Sequence, residues 1–245
     1  MMLSIISFSV ISCKKENVTT PAPVTKTCYV TSTTGENVAT YTYDANNRYI
    51  SGRFTDMDGE YITTNTYGTD GKLSEMYLDD PDGSKEKYRI VHLTNKDQYF
   101  FSTRDAGEST FSSENTRYDA EFTNNKVTKF STFKKDPSAN NFTLQSYYVL
   151  TYTGENVTQV MYYDDKASLE YTVILTFDDK KNAYKGLFDA DNFDSYFLFV
   201  SNNNVKTGDF GTFGKFDATY EYNNEGYPTK LIQDGKTTLV NYNCK

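Results

Sequence analysis

The chain has no tryptophan, one histidine, three cysteines and five prolines in 245 residues. A lone histidine, His92, leaves little from which to build a catalytic triad or a zinc centre. Lysine and arginine number 25 against 33 aspartates and glutamates, a net charge of −8. That balance excludes nucleic acid as an expected partner, because phosphates require a basic surface. Glycine and proline are too few for a low-complexity or collagen-like chain. No apolar run approaches the roughly 20 residues of a spanning helix. No segment sustains a helical apolar period, which argues against a helical domain.

Aromatic residues are what the chain has in excess: 22 tyrosines and 17 phenylalanines. Aromatics pack well on a pleated surface and favour strands. The apolar period is two. In 169–177, Leu169, Tyr171, Val173, Leu175 and Phe177 share one face, and Glu170, Thr172, Ile174 and Thr176 the other. Ala39, Tyr41 and Tyr43 repeat the pattern, as do Tyr148, Leu150 and Tyr152. Turn clusters punctuate these runs: Asp44-Ala45-Asn46-Asn47, Asp58-Gly59, Asp70-Gly71, Asp82-Gly83, Asn124-Asn125, Thr153-Gly154-Glu155-Asn156, Asp178-Asp179, Asn223-Asn224-Glu225-Gly226 and Asp234-Gly235. Their spacing predicts an all-β domain over 28–245. We expect a single antiparallel meander of about 16 short strands, curled into an open, barrel-like sheet.

The first twelve residues carry no charge and are mostly apolar, a length that fits the core of a signal peptide. Val10-Ile11-Ser12-Cys13 closes this run and Lys14-Lys15 follows. The motif looks like a bacterial lipobox, which implies a signal peptide over 1–12, lipidation at Cys13 and a Thr/Pro-rich tether over 13–27. With Cys13 so used, two cysteines remain at opposite ends of the domain. An oxidising compartment favours a Cys28–Cys244 disulfide over two free thiols.

The hairpins resemble one another. Tyr41-Thr-Tyr-Asp-Ala-Asn-Asn-Arg-Tyr-Ile50, Thr151-Tyr-Thr-Gly-Glu-Asn-Val157 and Thr219-Tyr-Glu-Tyr-Asn-Asn-Glu-Gly-Tyr-Pro228 share a scheme: aromatic strand end, Asn/Asp/Gly turn, new strand. Residues 86–118 fit it poorly. The scheme is similar to the YD repeats of Rhs-type proteins. Together with Ser12-Cys13-Lys14-Lys15 and Tyr242-Asn-Cys244, it resembles a family of uncharacterised Bacteroidetes cell-envelope lipoproteins. That resemblance implies a porin-like β fold and an outer-membrane, lipid-anchored address, and it transfers no functional residues.

Candidate chemistry is sparse. His92 falls on the Tyr88/Ile90 face of a strand, where packing is the expected role. Acidic groups at Asp56/Asp58, Asp79/Asp80/Asp82, Asp164/Asp165 and Asp189/Asp191/Asp194 read as solvated turns rather than calcium loops. Glycines 208, 211 and 214 read as bulges or close backbone approach. Tyr147-Tyr148, Tyr162-Tyr163, Phe197 and Phe199 place aromatics on both strand faces, and outward rings can serve as platforms. No catalytic residue, metal or cofactor is expected. The first functional expectation is a non-catalytic binding or interaction scaffold in the cell envelope, held to the membrane by its N-terminal lipid, with a glycan or peptide as ligand. The alternatives are a glycan hydrolase using paired carboxylates and an integral outer-membrane β-barrel.

Overall fold

The computed structural model describes residues 26–35, 38–55, 59–136, 138, 141–188 and 199–245. Cys13 and the spans expected as signal peptide and most of the tether lie outside these residues. So do Asp56, Asp58, Asp189, Asp191, Asp194 and Phe197.

Sixteen antiparallel strands run in chain order. They are β1 (Cys28–Gly35), β2 (Val38–Tyr43), β3 (Tyr49–Thr55), β4 (Glu60–Tyr67), β5 (Leu73–Asp79), β6 (Lys85–Leu93), β7 (Lys96–Arg104) and β8 (Thr116–Thr123). Then follow β9 (Lys126–Lys135), β10 (Phe142–Thr153), β11 (Asn156–Asp164), β12 (Leu169–Lys181), β13 (Asn203–Asp209), β14 (Lys215–Tyr222), β15 (Pro228–Gln233) and β16 (Lys236–Cys244). Each pairs with its sequence neighbours, and β1 pairs with β16. The sheet is therefore a closed barrel, not the open sheet expected from sequence. The β1–β16 ladder runs from Cys28–Cys244 to Gly35–Thr238. Thr27 and Lys245 extend it with a reciprocal pair of 3.0 Å hydrogen bonds. Closure removes the two edges that would otherwise expose unpaired N–H and C=O groups. The Cys28–Cys244 disulfide spans this seam.

Five hairpins share one turn. Asp44 N–H donates to Arg48 O and Asn47 N–H to Asp44 O, and 68–72, 80–84, 164–168 and 223–227 repeat both bonds. The fourth residue takes a positive φ: 60° at Asn47 and 62° at Ala167, with glycine in the other three. At Asp44, Asp164 and Asn223 a side-chain oxygen also accepts two backbone N–H groups. The expected Asp178-Asp179 turn is absent. β12 continues to Lys181, because the Asp178 carboxylate is drawn into cross-strand bonds described below.

The strand faces divide sharply. In β12, Val173 and Leu175 are buried while Ile174 and Thr176 are exposed. The inward faces form three clusters. One centres on Met76, Tyr88, Tyr99, Ala120 and Phe130. A second holds Val30, Tyr49, Ala183, Leu187 and Val240, and a third Leu150, Val157, Val160, Val173 and Leu175. The β12–β13 connector joins all three: Leu187 sits in the second, Phe188 packs on the first and Val200 on the third. Asn65 Nδ2 donates to Phe188 O at 2.9 Å, and Val157 N–H donates to Ser201 Oγ at 3.1 Å. The connector thus enters the lumen at the mouth where both termini lie.

Most outward positions of β6 and β14 are polar. β6 presents Lys85, Lys87, Arg89 and Val91, and β14 presents Lys215, Asp217, Thr219 and Glu221. Cross-strand ion pairs lace this surface: Lys85–Asp79 at 2.5 Å, Lys87–Glu75 at 2.6 Å, Lys215–Asp209 at 2.7 Å and Lys230–Glu221 at 2.9 Å.

Two outcomes test this architecture. Met76 is fully buried, so Met76→Ala should cost about 2–5 kcal/mol in urea unfolding. A disulfide closing so long a loop contributes at most roughly 5 kcal/mol. Replacing Cys28 and Cys244 by serine should lower the unfolding free energy by no more than that, with the β-type circular dichroism spectrum retained by the β1–β16 ladder.

Candidate functional site

Two features of the wall carry the chemistry: a belt of tyrosine hydroxyls at the terminal mouth, and a window between β13 and β14.

The belt follows from the hairpins. At this mouth the β2–β3, β4–β5, β8–β9, β10–β11 and β14–β15 ladders each slip by one residue, beside Tyr43, Tyr67, Phe122, Tyr152 and Tyr222. Such bulges twist a hairpin away from its neighbour. A carbonyl near the start of the odd-numbered strand then lacks a backbone donor, and a side chain of the next strand supplies one. Tyr43 OH donates to Val30 O at 2.9 Å, Tyr67 OH to Tyr49 O at 2.7 Å and Tyr152 OH to Val127 O at 3.0 Å. Tyr220 OH donates to Val205 O at 2.7 Å and Tyr242 OH to Pro228 O at 2.5 Å. At the β5–β6 joint the donor is His92, with Nε2 2.7 Å from Leu73 O. His92 Nδ1 lies 2.6 Å from Asp97 Oδ1, so both ring nitrogens are engaged. The sole histidine is thus a structural bolt, as its place on the inward face suggested. Residues 86–118 depart from the repeat because the β6–β7 hairpin pairs without a slip from Lys85–Arg104 to Leu93–Lys96.

Burial raises the pKa of these phenols and of nearby Tyr184. Tyr152 is pushed up to about 12 by burial and by nearby Glu155, and Tyr184 to about 12 by burial alone. Burial drives Tyr43, Tyr220 and Tyr242 higher still. All remain protonated donors at neutral pH.

The window lies three strands round the barrel from the disulfide seam. The β12–β13 ladder jumps from Phe177–Val205 to Lys181–Asn203. The β13–β14 ladder ends at Thr207–Asp217, while Ala218–Tyr222 continues its pairing with β15. Below the gap, Lys181 N–H donates to Gly226 O at 3.1 Å and closes the frame. The enclosed space is an open cavity of about 570 Å³, lined by Phe177, Asp178, Asp179, Lys206, Ala218, Thr219, Tyr220 and Tyr222. Tyr220 is held by its bond to Val205 O. Tyr222 OH donates to Asp178 Oδ2, and burial together with that carboxylate raises its pKa. Asp178 also accepts Lys180 N–H at 2.9 Å, Asn204 N–H at 3.1 Å and Asn204 Nδ2 at 3.1 Å. A carboxylate offers about four lone-pair directions, so these four donors saturate it.

The other sequence candidates divide by face. Tyr148 and Tyr162 pack inward, in the rows that hold Leu150 and Val160, while Tyr147 and Tyr163 stack outside at 4.9 Å. Outward rings are covered by cations: Arg89 over Phe100 at 4.4 Å, Arg117 over Phe133 at 4.3 Å and Lys129 over Tyr147 at 4.5 Å. Phe199 packs in the lumen. Asp82 and Asp164 cap turns, and Asp79 pairs with Lys85. Gly208 abuts the Phe216 ring, where a Cβ would lie 2.3 Å from a ring carbon. Gly211 and Gly214 take positive φ in the β13–β14 turn. Among the described residues, the one cluster with metal-ligand spacing is Cys28, Glu225 and Cys244, and its two sulfurs are bonded to each other. Neither the belt nor the window was foreseen from sequence. The signal for the belt was present, as tyrosines that recur immediately before turns.

No protein-family model matches the chain, and no curated protein matches its sequence. Among solved structures, it is similar to a porin-like protein from Bacteroides uniformis ATCC 8492. Identity is 14%, over 91% of this chain and 97% of that one, with a TM-score of 0.48. It is also similar to a porin-like protein from Bacteroides vulgatus ATCC 8482, at 13% identity over 88% and 99% of the two chains, with a TM-score of 0.39.

The belt predicts an alkaline limit to stability. A phenol whose folded pKa is raised stabilises the fold fully below its unfolded value near 10 and loses that contribution as pH rises through the folded value. Cooperative unfolding should therefore set in above roughly pH 10, with several phenolates appearing together at 295 nm. Tyr43→Phe and Tyr242→Phe should each cost about 1–3 kcal/mol, by leaving a carbonyl unpaired.

Proposed function

We propose that this protein is a water-facing, non-catalytic binding barrel of the cell envelope, tethered to the membrane by lipid on Cys13. The observation that carries the reading is the polarity of the wall. A barrel built to sit in lipid presents an apolar band about 25 Å tall outside and polar groups inside. Here the apolar clusters face inward and the ion pairs face outward. Strands of six or seven residues, such as β2, β3, β5, β13 and β15, also fall short of the roughly 9–11 that a tilted membrane strand needs. Among the described residues the exposed large apolar side chains are Val38, Leu93, Leu169, Ile174, Phe213 and Leu239, spread over β2, β6, β12, the β13–β14 turn and β16, as on ordinary water-facing surfaces.

Binding without turnover is supported by the window. General acid–base work needs a carboxyl free to exchange a proton with substrate. Asp178 is saturated by four donors, and Asp179 is exposed beside Lys180. That arrangement disfavours a paired-carboxylate hydrolase. Lipid anchoring rests on the Val10-Ile11-Ser12-Cys13 motif. Kinship with YD repeats rests on the recurring aromatic, turn and slipped-ladder unit.

Two measurements test the reading. A chain starting at Lys26 should stay monodisperse without detergent and give no conductance in planar bilayers; dependence on detergent together with pore currents would instead favour an integral barrel. The full chain expressed in a Gram-negative host should carry a lipid adduct by mass spectrometry and partition with membranes. Cys13→Ala should abolish both.

A further inference from the structure

We propose that the β13–β14 window is a binding site for a neutral sugar ring of an oligosaccharide. The proposal rests on the binding-barrel reading and specifies its ligand class.

Size comes first. About 570 Å³ lies within the roughly 300–1,000 Å³ typical of small-molecule sites. The frame also limits the shape of an occupant. Thr207–Asp217 pairing closes one end and the Lys181–Gly226 hydrogen bond closes the other. A peptide strand adds along an open edge and continues past it, which this frame prevents. A ring that enters sideways fits it.

Chemistry comes second. A pyranose has a face of C–H bonds and a rim of hydroxyls. Phe177, Tyr220 and the Ala218 methyl offer an aromatic and apolar surface, against which C–H groups pack favourably. Thr219, Asp179 and Lys206 stand at the exposed rim and offer both donors and acceptors. Asp178 and Asp179 bring two carboxylates to the site, offset by Lys206 and by Lys180, which pairs with Asp179 at 3.1 Å, so neither an anion nor a cation is favoured over a neutral ligand.

Preorganisation comes third. Tyr220 and Tyr222 are held by hydroxyl bonds to Val205 O and Asp178. Their rings are therefore set before a ligand arrives, which lowers the entropic cost of binding. The β1–β2 joint has the same kind of hydroxyl–carbonyl bond, but there the Tyr29 ring packs edge-on against Tyr43 at 5.5 Å. At β13–β14 the residue in the Tyr29 position is Asn204, which turns to Asp178 instead, so no ring fills the joint and space remains.

The test uses the full chain in mild detergent. Probes are maltotetraose, cellotetraose and tetra-N-acetylchitotetraose as neutral ligands, tetragalacturonate as an anion, chitotetraose as a cation and an aromatic tetrapeptide amide. Binding is followed by calorimetry and by saturation-transfer NMR. We expect saturable binding of at least one neutral probe without cleavage. Thr219→Trp, at an exposed rim position, should weaken it at least tenfold by blocking the window. Lys206→Ala should weaken it several-fold, and Lys129→Ala, outside the window, should leave it unchanged. Absence of binding to every neutral probe overturns the proposal. So does preference for a charged probe or the peptide, or neutral binding that survives both rim variants. Cleavage would overturn the binding-barrel reading itself. Failure of the sugar alone would leave the solubility and conductance results standing, so the two failures are distinguishable.

Discussion

Six carbonyls at one mouth of the barrel depend on side chains for their hydrogen bonds, and much of the architecture follows from that dependence. Slipped ladders give the hairpins extra twist, which helps sixteen strands curl far enough for β16 to meet β1. The same twist separates each hairpin from the next near the turn and leaves a carbonyl without a backbone donor. Buried and unpaired, such a group costs about 1–3 kcal/mol. Tyrosine answers this need well: the rings of Tyr43, Tyr152 and Tyr242 join the inward apolar clusters while their hydroxyls reach the carbonyl of the preceding strand. A phenylalanine would fill the space and leave the carbonyl bare. The abundance of tyrosine is thus a consequence of curvature as well as of strand propensity.

Three joints do without a tyrosine donor, and they show what the requirement is. At β5–β6 an imidazole reaches Leu73 O. At β7–β8 the ladder stays tight enough for Phe122 N–H to donate to Asn95 O at 2.8 Å. β11 is met from inside, where Ser201 of the connector accepts from Val157 N–H. The common demand is a hydrogen-bond partner at the start of the odd-numbered strand. The residue type varies with the distance to be spanned. This also accounts for the connector's place in the lumen: its backbone and serine complete hydrogen bonds that the wall leaves open, while Leu187, Phe188 and Val200 link three otherwise separate apolar clusters.

How much of this was legible in the sequence varied with the range of the interaction. Period-two apolar rows and Asx–Gly turns are local, and they located the strands and most hairpins. The Asp178-Asp179 turn failed for the opposite reason: a pair that favours turns locally is held in a strand by Asn204 and Tyr222, which lie 26 and 44 residues away. Closure also escaped a local reading, since a meander of this length can end open or shut with the same periodicity. Yet pairing Cys28 with Cys244 already places the first strand against the last, and taken literally it implies a closed wall. The connector's path through the lumen left no signature, because an apolar loop segment reads like one more strand.

The window belongs to the same physics as the belt. Every joint that splays at the terminal mouth creates space, and in most of them an aromatic ring or the connector occupies it. Between β13 and β14 the strand that should continue the ladder is short, seven residues against thirteen in β12. Asp178 draws Asn204 and Tyr222 toward β12, and Lys181 bonds beyond them to Gly226. The wall is thus secured around the gap by side chains, with no backbone ladder across it. A gap held open by a saturated carboxylate and two anchored tyrosines is stable without an occupant. Its aromatic floor is therefore accessible from outside at no conformational cost, while the outward rings of Phe100, Phe133 and Tyr147 are already covered by arginine or lysine.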